Sequence, residues 1–397
     1  MSCDRYLSKS KIPTVVACDL TASLNAAPLV STPGCLYVTP LDSGMAGAII
    51  NLTNQGSSCT LVSVLVNAMK PKTLQDAIKK YSDEQTCIDT VASLRWPEGK
   101  PVCPACGHTE HYWLGSQKRW KCKDCYKQFT VKLGTIFEDS PLSLTKWLPA
   151  LWMLVNCKNG ISSYELGKDL GVSQKSAWFM LHRLRLALKN SSLLKLGSEG
   201  GPVEADETFV GAKTRTMHKS RLKKIRAAQN LNVIPSENPY ANKTVVFGML
   251  DREARKVRAM VVPNIKRSTL QDQILNNIQG GSTVYTDEYA PYKQVLSSGF
   301  VHDCVNHMET YVKGQVHTQG IENFWSLLKR GLRGTYVAVE PFHLDRYIDE
   351  QVFRFNNRGS KEHKVTDSER FEIALSQIAG KRLTFAEVTG KGTPTQA

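Results

Sequence analysis

Val203-Glu204-Ala205-Asp206-Glu207-Thr208-Phe209-Val210-Gly211 alternates apolar and polar residues with the period of a β-strand and sets an acid in its middle. Downstream, residues 244–250 and 257–262 are two further strand-like runs, joined by Asp251-Arg252-Glu253-Ala254-Arg255. A helix is expected near 268–279, capped by Ser268. Residues 282–289, Ser-Thr-Val-Tyr-Thr-Asp-Glu-Tyr, are then expected as a buried strand ending in an acid, Asp287. Gly320-Ile321-Glu322-Asn323-Phe324-Trp325-Ser326-Leu327-Leu328-Lys329-Arg330 is strongly helical, and Glu322 and Lys329, seven apart, share a face. Gly331 and Gly334 then suggest a turn. Three strands, a helix, a fourth strand and later helices predict an α/β domain, a mixed sheet flanked by helices.

Asp206, Asp287 and Glu322 therefore fall within a strand, at a strand end and on a helix able to cross the sheet edge. Carboxylates converging on one point repel each other and need a cation. Hard oxygens with room for water and phosphate select Mg2+ or Mn2+. Two such ions about 3.5–4 Å apart activate a water or a 3′-hydroxyl and stabilise the leaving oxygen of an in-line phosphoryl displacement. Any one of these acids alone reads better as a helix cap or ion-pair residue; the set of three carries the reading. His302, His307 and His317 lie between the last two acids, and His307 and His317 are candidates for proton transfer or phosphate contact.

Upstream, the cysteines fall into classes. Of eleven, four form Cys103-Pro104-Ala105-Cys106 and Cys122-Lys123-Asp124-Cys125, separated by fifteen residues. This is the C-x2-C…C-x2-C spacing of a zinc site. Each pair sits on a tight knuckle, Gly107 follows the first where a positive φ is needed, and two knuckles close a tetrahedral four-thiolate site with no open position for water. The Zn2+ is thus structural, supplying folding energy to a segment with little core. Trp113, Trp120, Tyr126 and Phe129 are expected to cover this ribbon. Lys118, Arg119, Lys121, Lys123 and Lys127 make it basic, suited to DNA phosphates.

After an apolar helix over 143–157, Ser162 and Glu165 spell a capping box, Gly171 stops that short helix and Ser173 caps the next. Two helices joined by a glycine turn read as helix-turn-helix, with Gln174, Lys175 and Arg183 offered to groove or phosphate. A plain helical hairpin has the same pattern.

The chain of 397 residues holds 51 lysines and arginines against 36 aspartates and glutamates, a net charge of +15. Such an excess favours an anionic partner, most often nucleic acid. Seven of the basic residues, among them Lys219, Arg221, Lys223 and Lys224, crowd into 212–226. A helix over about 341–356 adds Arg346, Arg354 and Arg358 for DNA or the preceding helix. No stretch approaches the roughly 18–20 apolar residues of a membrane span, and no secretory signal opens the chain. Residues 1–68 carry three basic and three acidic residues and no sustained apolar period, and composition changes near Met69. They are expected to be a poorly structured leader, with the chemistry in 69–397.

The sequence resembles insertion-sequence transposases of the DDE class, in the ISXO-like branch with an N-terminal zinc ribbon. The matching stretches are RWPEGKPVCPACG (95–107), AWFMLHRLR (177–185), EADETFVG (204–211), VYTDEY (284–289), HTQGIENFWSLLKRGLRGTY (317–336) and HLDRYIDEQVFRFNNR (343–358). The resemblance implies a ribonuclease-H-like catalytic domain that nicks at element ends and joins the freed 3′-hydroxyls to target DNA, working as a homo-oligomer on double-stranded DNA. Asp206 and Asp287 would be the first two metal ligands and Glu322 the third, accompanied by Lys329. Members of this branch often read Thr-Asn-Thr-Ile-Glu where this chain has His317-Thr318-Gln319-Gly320-Ile321-Glu322, so Gln319 or Asn323 is an alternative or additional donor. Arg330 and Arg333 would face DNA. The expected layout is a leader to 68, a helix and zinc ribbon over 69–135, and a helix-turn-helix region over 136–198. The catalytic domain follows over 199–360 with a basic insertion at 212–242, and a C-terminal helix and tail over 361–397. The location implied is cytoplasm and nucleoid in a bacterium, or a nucleus, without secretion. A catalytically dead DNA-binding regulator of the same descent is the alternative.

Overall fold

The computed structural model describes residues 70–189, 194–211, 218–220, 223, 243–287, 299–305, 317–359 and 364–391, with only the backbone of 302–305. The expected leader, His307 and most of the basic insertion lie outside the described residues. No described helix is long and apolar enough to cross a membrane.

The first half is helical around a small sheet. Helices α1 (Leu74–Lys80) and α2 (Glu84–Arg95) start at Thr73 and Asp83, whose side chains accept the Asp76 and Thr86 amides. The ribbon follows as β1 (His111–Leu114), β2 (Arg119–Cys122) and β3 (Gln128–Phe129), antiparallel in that order. Helix α3 (Leu144–Asn156) is apolar on nearly every face and accordingly lies at the centre of the helical core. Against it pack α4 (Ser163–Leu170) and α5 (Gln174–Leu188). Their junction is as the sequence predicts. Ser162 and Glu165 form the capping box, Gly171 takes φ 62°, and the Ser173 hydroxyl accepts the Ser176 amide.

The second half is a five-stranded mixed sheet. In chain order it contains β4 (Val203–Val210), β5 (Thr244–Asp251), β6 (Lys256–Val262), helix α6 (Arg267–Asn277), β7 (Thr283–Asp287) and β8 (Val301–Val305). Three helices follow: α7 (Gln319–Gly334), α8 (Leu344–Asn356) and α9 (Asp367–Ser376), before the short α10 (Phe385–Val388). The spatial order is β6-β5-β4-β7-β8; β4, β5 and β6 pair antiparallel, while β7 lies parallel to both β4 and β8. Numbered within the domain this is 3-2-1-4-5, the ribonuclease-H-like order. One face packs on α6 through Val203, Ala205, Phe247, Met249 and Val284. The other packs on α7 and α8 through Val246, Leu250 and Val257.

Four details depart from the sequence expectation. Strand β8 was not foreseen. Helix α6 begins after Lys266, with Asn264 accepting the Lys266 amide and the Thr269 hydroxyl, so Ser268 is not its cap. Helix α7 runs straight through Gly331 and ends only at Gly334, because tertiary packing overrides glycine's weak helix propensity. The segment after 361 is no appendage: Phe371, Ala374, Leu375 and Ile378 belong to the N-terminal core, and the Ile136 amide donates to the Ile378 carbonyl at 3.1 Å.

Candidate active site

Alternation along β4 turns Glu204 and Asp206 to the α7 face and Val203 and Ala205 to the α6 face. Asp206 pairs across the ladder with Gly248, where an added Cβ would lie 2.5 Å from Trp325 Cη2. The missing side chain leaves room for the indole against the strand, and Trp325 Nε1 donates to Asp206 Oδ2 at 2.9 Å. The parallel register of β4 with β7 pairs Val203 with Val284 and Glu204 with Tyr285, two residues before Asp206 and Asp287 respectively, and the charge of Asp287 reaches Asp206. Glu322 occupies the first turn of α7, exposed, and accepts the Thr318 hydroxyl at 3.1 Å.

The three acids share one field. Burial pushes the Asp206 carboxyl up to about 6, the charges of Asp287 and Glu322 add to the shift, and the Trp325 N–H opposes it. A divalent cation relieves this penalty, so the donor chemistry fits Mg2+ or Mn2+. The carboxylates do not close on one another, however. Among the described residues, the only group of three or more such side chains with ligand atoms all within 4.8 Å is the cysteine set. Lys329 lies half-buried on the same side, its ammonium pKa lowered by burial and by Arg333 and pulled back up by Asp206. Gln319, Asn323, Arg330 and Arg333 are exposed along α7. His317 is not a loose base: Arg252 Nη2 donates to its Nδ1 at 2.8 Å and to its carbonyl at 2.5 Å.

The ribbon cysteines meet as expected. Cys103 Sγ lies 3.6 Å from Cys125 Sγ, and Cys106 Sγ lies 3.5 Å from Cys122 Sγ. A tetrahedral four-thiolate zinc site with bonds of about 2.3 Å needs sulfur separations of roughly 3.8 Å, so the cage has zinc dimensions. The two knuckles repeat one pattern. The Cys103 amide donates to the His108 carbonyl at 2.9 Å and the Cys122 amide to that of Lys127 at 3.0 Å. Gly107 and Tyr126 follow their knuckles at φ 76° and 57°. Trp120 and Phe129 stack beneath, with Trp96 edge-on to both. Tyr126 does not cover the ribbon as expected; it is 67% exposed, with Lys121 over its ring.

Of the basic residues expected to face DNA, Lys118, Arg119 and Lys121 lie partly exposed on the ribbon, Lys118 in an ion pair with Glu84 at 2.8 Å. Gln174 and Lys175 open α5 on its exposed side, and Lys219 and Lys223 are exposed; Arg221 and Lys224 lie outside the described residues. Arg183 is a correction. It is 3% exposed, and its guanidinium donates to the carbonyls of Leu383 and Glu138 at 2.9 and 2.6 Å. It ties α5 to the C-terminal segment and is closed to DNA. Arg354 is likewise buried, paired with Glu350.

Sequence reasoning missed Glu204, Gly248, Arg252 and Trp325. A glycine inside an apolar strand was a usable signal of close approach. The others needed the tertiary fold.

The ISXO2-like transposase domain model matches residues 199–356, and the transposase zinc-ribbon domain model matches residues 82–128. The chain is 28% identical over 287 residues to an uncharacterized protein in transposable element ISH50 of Halobacterium salinarum, covering 70% of this chain and 94% of that one. It is 34% identical over 102 residues to an uncharacterized transposase-like protein of Haemophilus influenzae, covering 26% of this chain and 82% of that one. A solved simian T-cell lymphotropic virus intasome in complex with PP2A regulatory subunit B56 gamma matches 56% of this chain and 74% of that chain at 12% identity. Its TM-score of 0.26 is too low to bear on the fold. By its transposase-domain and zinc-ribbon matches together, the chain belongs to the ISXO2-like transposases.

Proposed function

We propose that this chain binds the ends of an insertion sequence and catalyses metal-dependent strand cleavage and strand transfer there. The observation that supports the reading is that Asp206 and Asp287 lie on adjacent, parallel-paired strands and that the charges of Asp287 and Glu322 both reach Asp206. Asp206, Asp287 and Glu322 would hold two Mg2+ or Mn2+ ions, with Gln319 or Asn323 as further oxygen donors. Bound there, the ions supply Lewis-acid activation of the attacking oxygen and neutralise the leaving one.

The protein's own residues do the positioning. Trp325 fixes one oxygen of Asp206, Thr318 orients Glu322, and Lys329 offers a cation beside Asp206 for phosphate. Gln174 and Lys175 meet the element end, while Lys118, Arg119, Lys121, Lys219, Arg221, Lys223, Lys224, Arg330 and Arg333 hold phosphates. Zn2+ in the four-cysteine cage is structural. Double-stranded DNA serves as element end and target, bound by a homo-oligomer in the cytoplasm and nucleoid of a bacterium or in a nucleus.

The test is incubation with DNA bearing the inverted repeats that flank the gene. Nicked ends joined to target DNA, dependent on Mg2+ or Mn2+ and absent in Asp206→Ala, support the reading. Binding without cleavage in either ion makes the protein an inactive regulator. Nicks with no joined product make it a nuclease of the same fold. Full strand transfer by Glu322→Gln removes Glu322 from the ligand set.

A further inference from the structure

We propose that Glu204 and Arg252 are positioning residues, a buried ion pair that fixes the start of α7 and thereby sets where Glu322 stands relative to Asp206 and Asp287. The inference rests on the reading of those three acids as metal ligands.

Glu204 is 1% exposed, and a buried carboxylate is costly unless its oxygens are fully used. Both are. Oε1 accepts Arg252 Nε at 2.6 Å, and Oε2 accepts the Ile321 backbone amide at 2.8 Å. That amide is one of the unpaired donors in the first turn of a helix, at its positive end. The residue that should cap it locally, Thr318, makes no side-chain cap bond. Its hydroxyl points instead to Glu322. Capping has been handed to a strand residue 117 positions earlier. Gly320 makes room for the exchange, since a Cβ there would lie 2.9 and 3.0 Å from the two Glu204 oxygens.

Arg252 widens the clamp. It leaves the β5–β6 turn, which buried Asp251 braces by accepting the Ala254 and Gly197 amides at 2.9 and 2.6 Å. From there it grips the His317 carbonyl and ring, and its guanidinium lies over the Tyr285 ring, 4.7 Å from the centroid. The pair therefore touches every element that carries an acid, one or two residues from the acid itself. Glu204 precedes Asp206 by two, Tyr285 precedes Asp287 by two, and Ile321 immediately precedes Glu322. The Trp325 bond to Asp206 pins the helix again one turn on, so Glu322 stands between two fixed points.

The test uses the full-length, zinc-loaded chain and the variants Glu204→Gln, Arg252→Lys and Gly320→Ala. Three quantities are read: amide hydrogen exchange across 317–325, the Mn2+ binding isotherm, and nicking rate at saturating end DNA. Wild type should protect the Ile321 amide. Each variant should lose that protection while the amides of α3 and β5 keep theirs. Metal affinity should fall about 10–100-fold, as for other groups that orient a metal ligand. Nicking at saturation should fall roughly 100-fold, the scale of an ångström's misplacement, with the DNA concentration for half-saturation unchanged. The double variant Glu204→Gln/Gly320→Ala should do little more damage than either change alone. Unchanged exchange at 317–325 overturns the clamp. Lost protection with wild-type metal affinity and rate overturns the positioning role and leaves a structural bond only. If wild-type protein neither binds Mn2+ nor nicks DNA, the reading of the acids has failed, and the exchange data still decide the clamp.

Discussion

Glu350 in the helical half and Asp206 in the sheet half are buried or nearly buried acids with opposite fates. Glu350 is 0% exposed. Burial works to raise its pKa, but Arg354, Arg185 and the Tyr336 hydroxyl overcome this and hold it below the ordinary value. Arg185 Nε reaches one oxygen at 2.6 Å, while Arg354 and Tyr336 take the other. Asp206 has the N–H groups of Trp325 and Glu207 and the charge of Lys329 on one side, but burial and two neighbouring negative charges push it up to about 6. Where the protein brings its own cations, the acid is a joint between helices. Where it withholds them, the acid is left with an appetite for a cation from outside.

The contrast can be tested from its largest effect downward. Glu350→Gln should destabilise the fold by about 3–5 kcal/mol, because two arginines lose a buried partner. Urea unfolding measures it; a change within error would make the cluster incidental. Gly248→Ala should cost about 1–3 kcal/mol by overpacking against Trp325. It should also swing the indole off Asp206, seen as a shift in tryptophan fluorescence. Asp206→Asn should have the opposite sign. Without divalent ions at pH 7 it should stabilise by about 1–2 kcal/mol, since a penalised charge is removed. Chelator-treated thermal melts decide this, and a loss of stability would mean that Lys329 and the hydrogen bonds to Asp206 outweigh its burial and the neighbouring negative charges.

The smallest effect separates two basic residues eight positions apart in sequence. Lys175→Ala should weaken DNA binding across all sequences and reduce the salt slope by about 1. Arg183→Ala should leave the slope unchanged and lower the melting temperature. Equal slopes for both variants would break the distinction between exposed and buried cations on α5.

Local signals carried much of this molecule. The strand around Asp206, the strand ending in Asp287, the α7 pattern, the knuckle spacing and the Ser162, Gly171 and Ser173 caps each depend on a few adjacent residues, and each stands where the sequence places it. What failed depended on distant cover. Nothing near Arg183 announces that Glu138 and Leu383 will accept its protons. Nothing in Val203-Glu204-Ala205-Asp206 tells which polar residue will be sealed under a helix, because helices cover both faces of the sheet. Gly331 looks like a stop until the fold packs the helix through it.

The closing of the N-terminal core by the C-terminal segment also bears on time. Phe371 packs on Tyr81 and Trp152, and Lys381 donates to the Ala187 and Lys189 carbonyls at the end of α5. During synthesis the helix-turn-helix emerges from the ribosome long before those partners exist. Its core stays unfinished until the sheet and α7 have been made. A chain terminated before those residues therefore leaves the helical core without part of its packing.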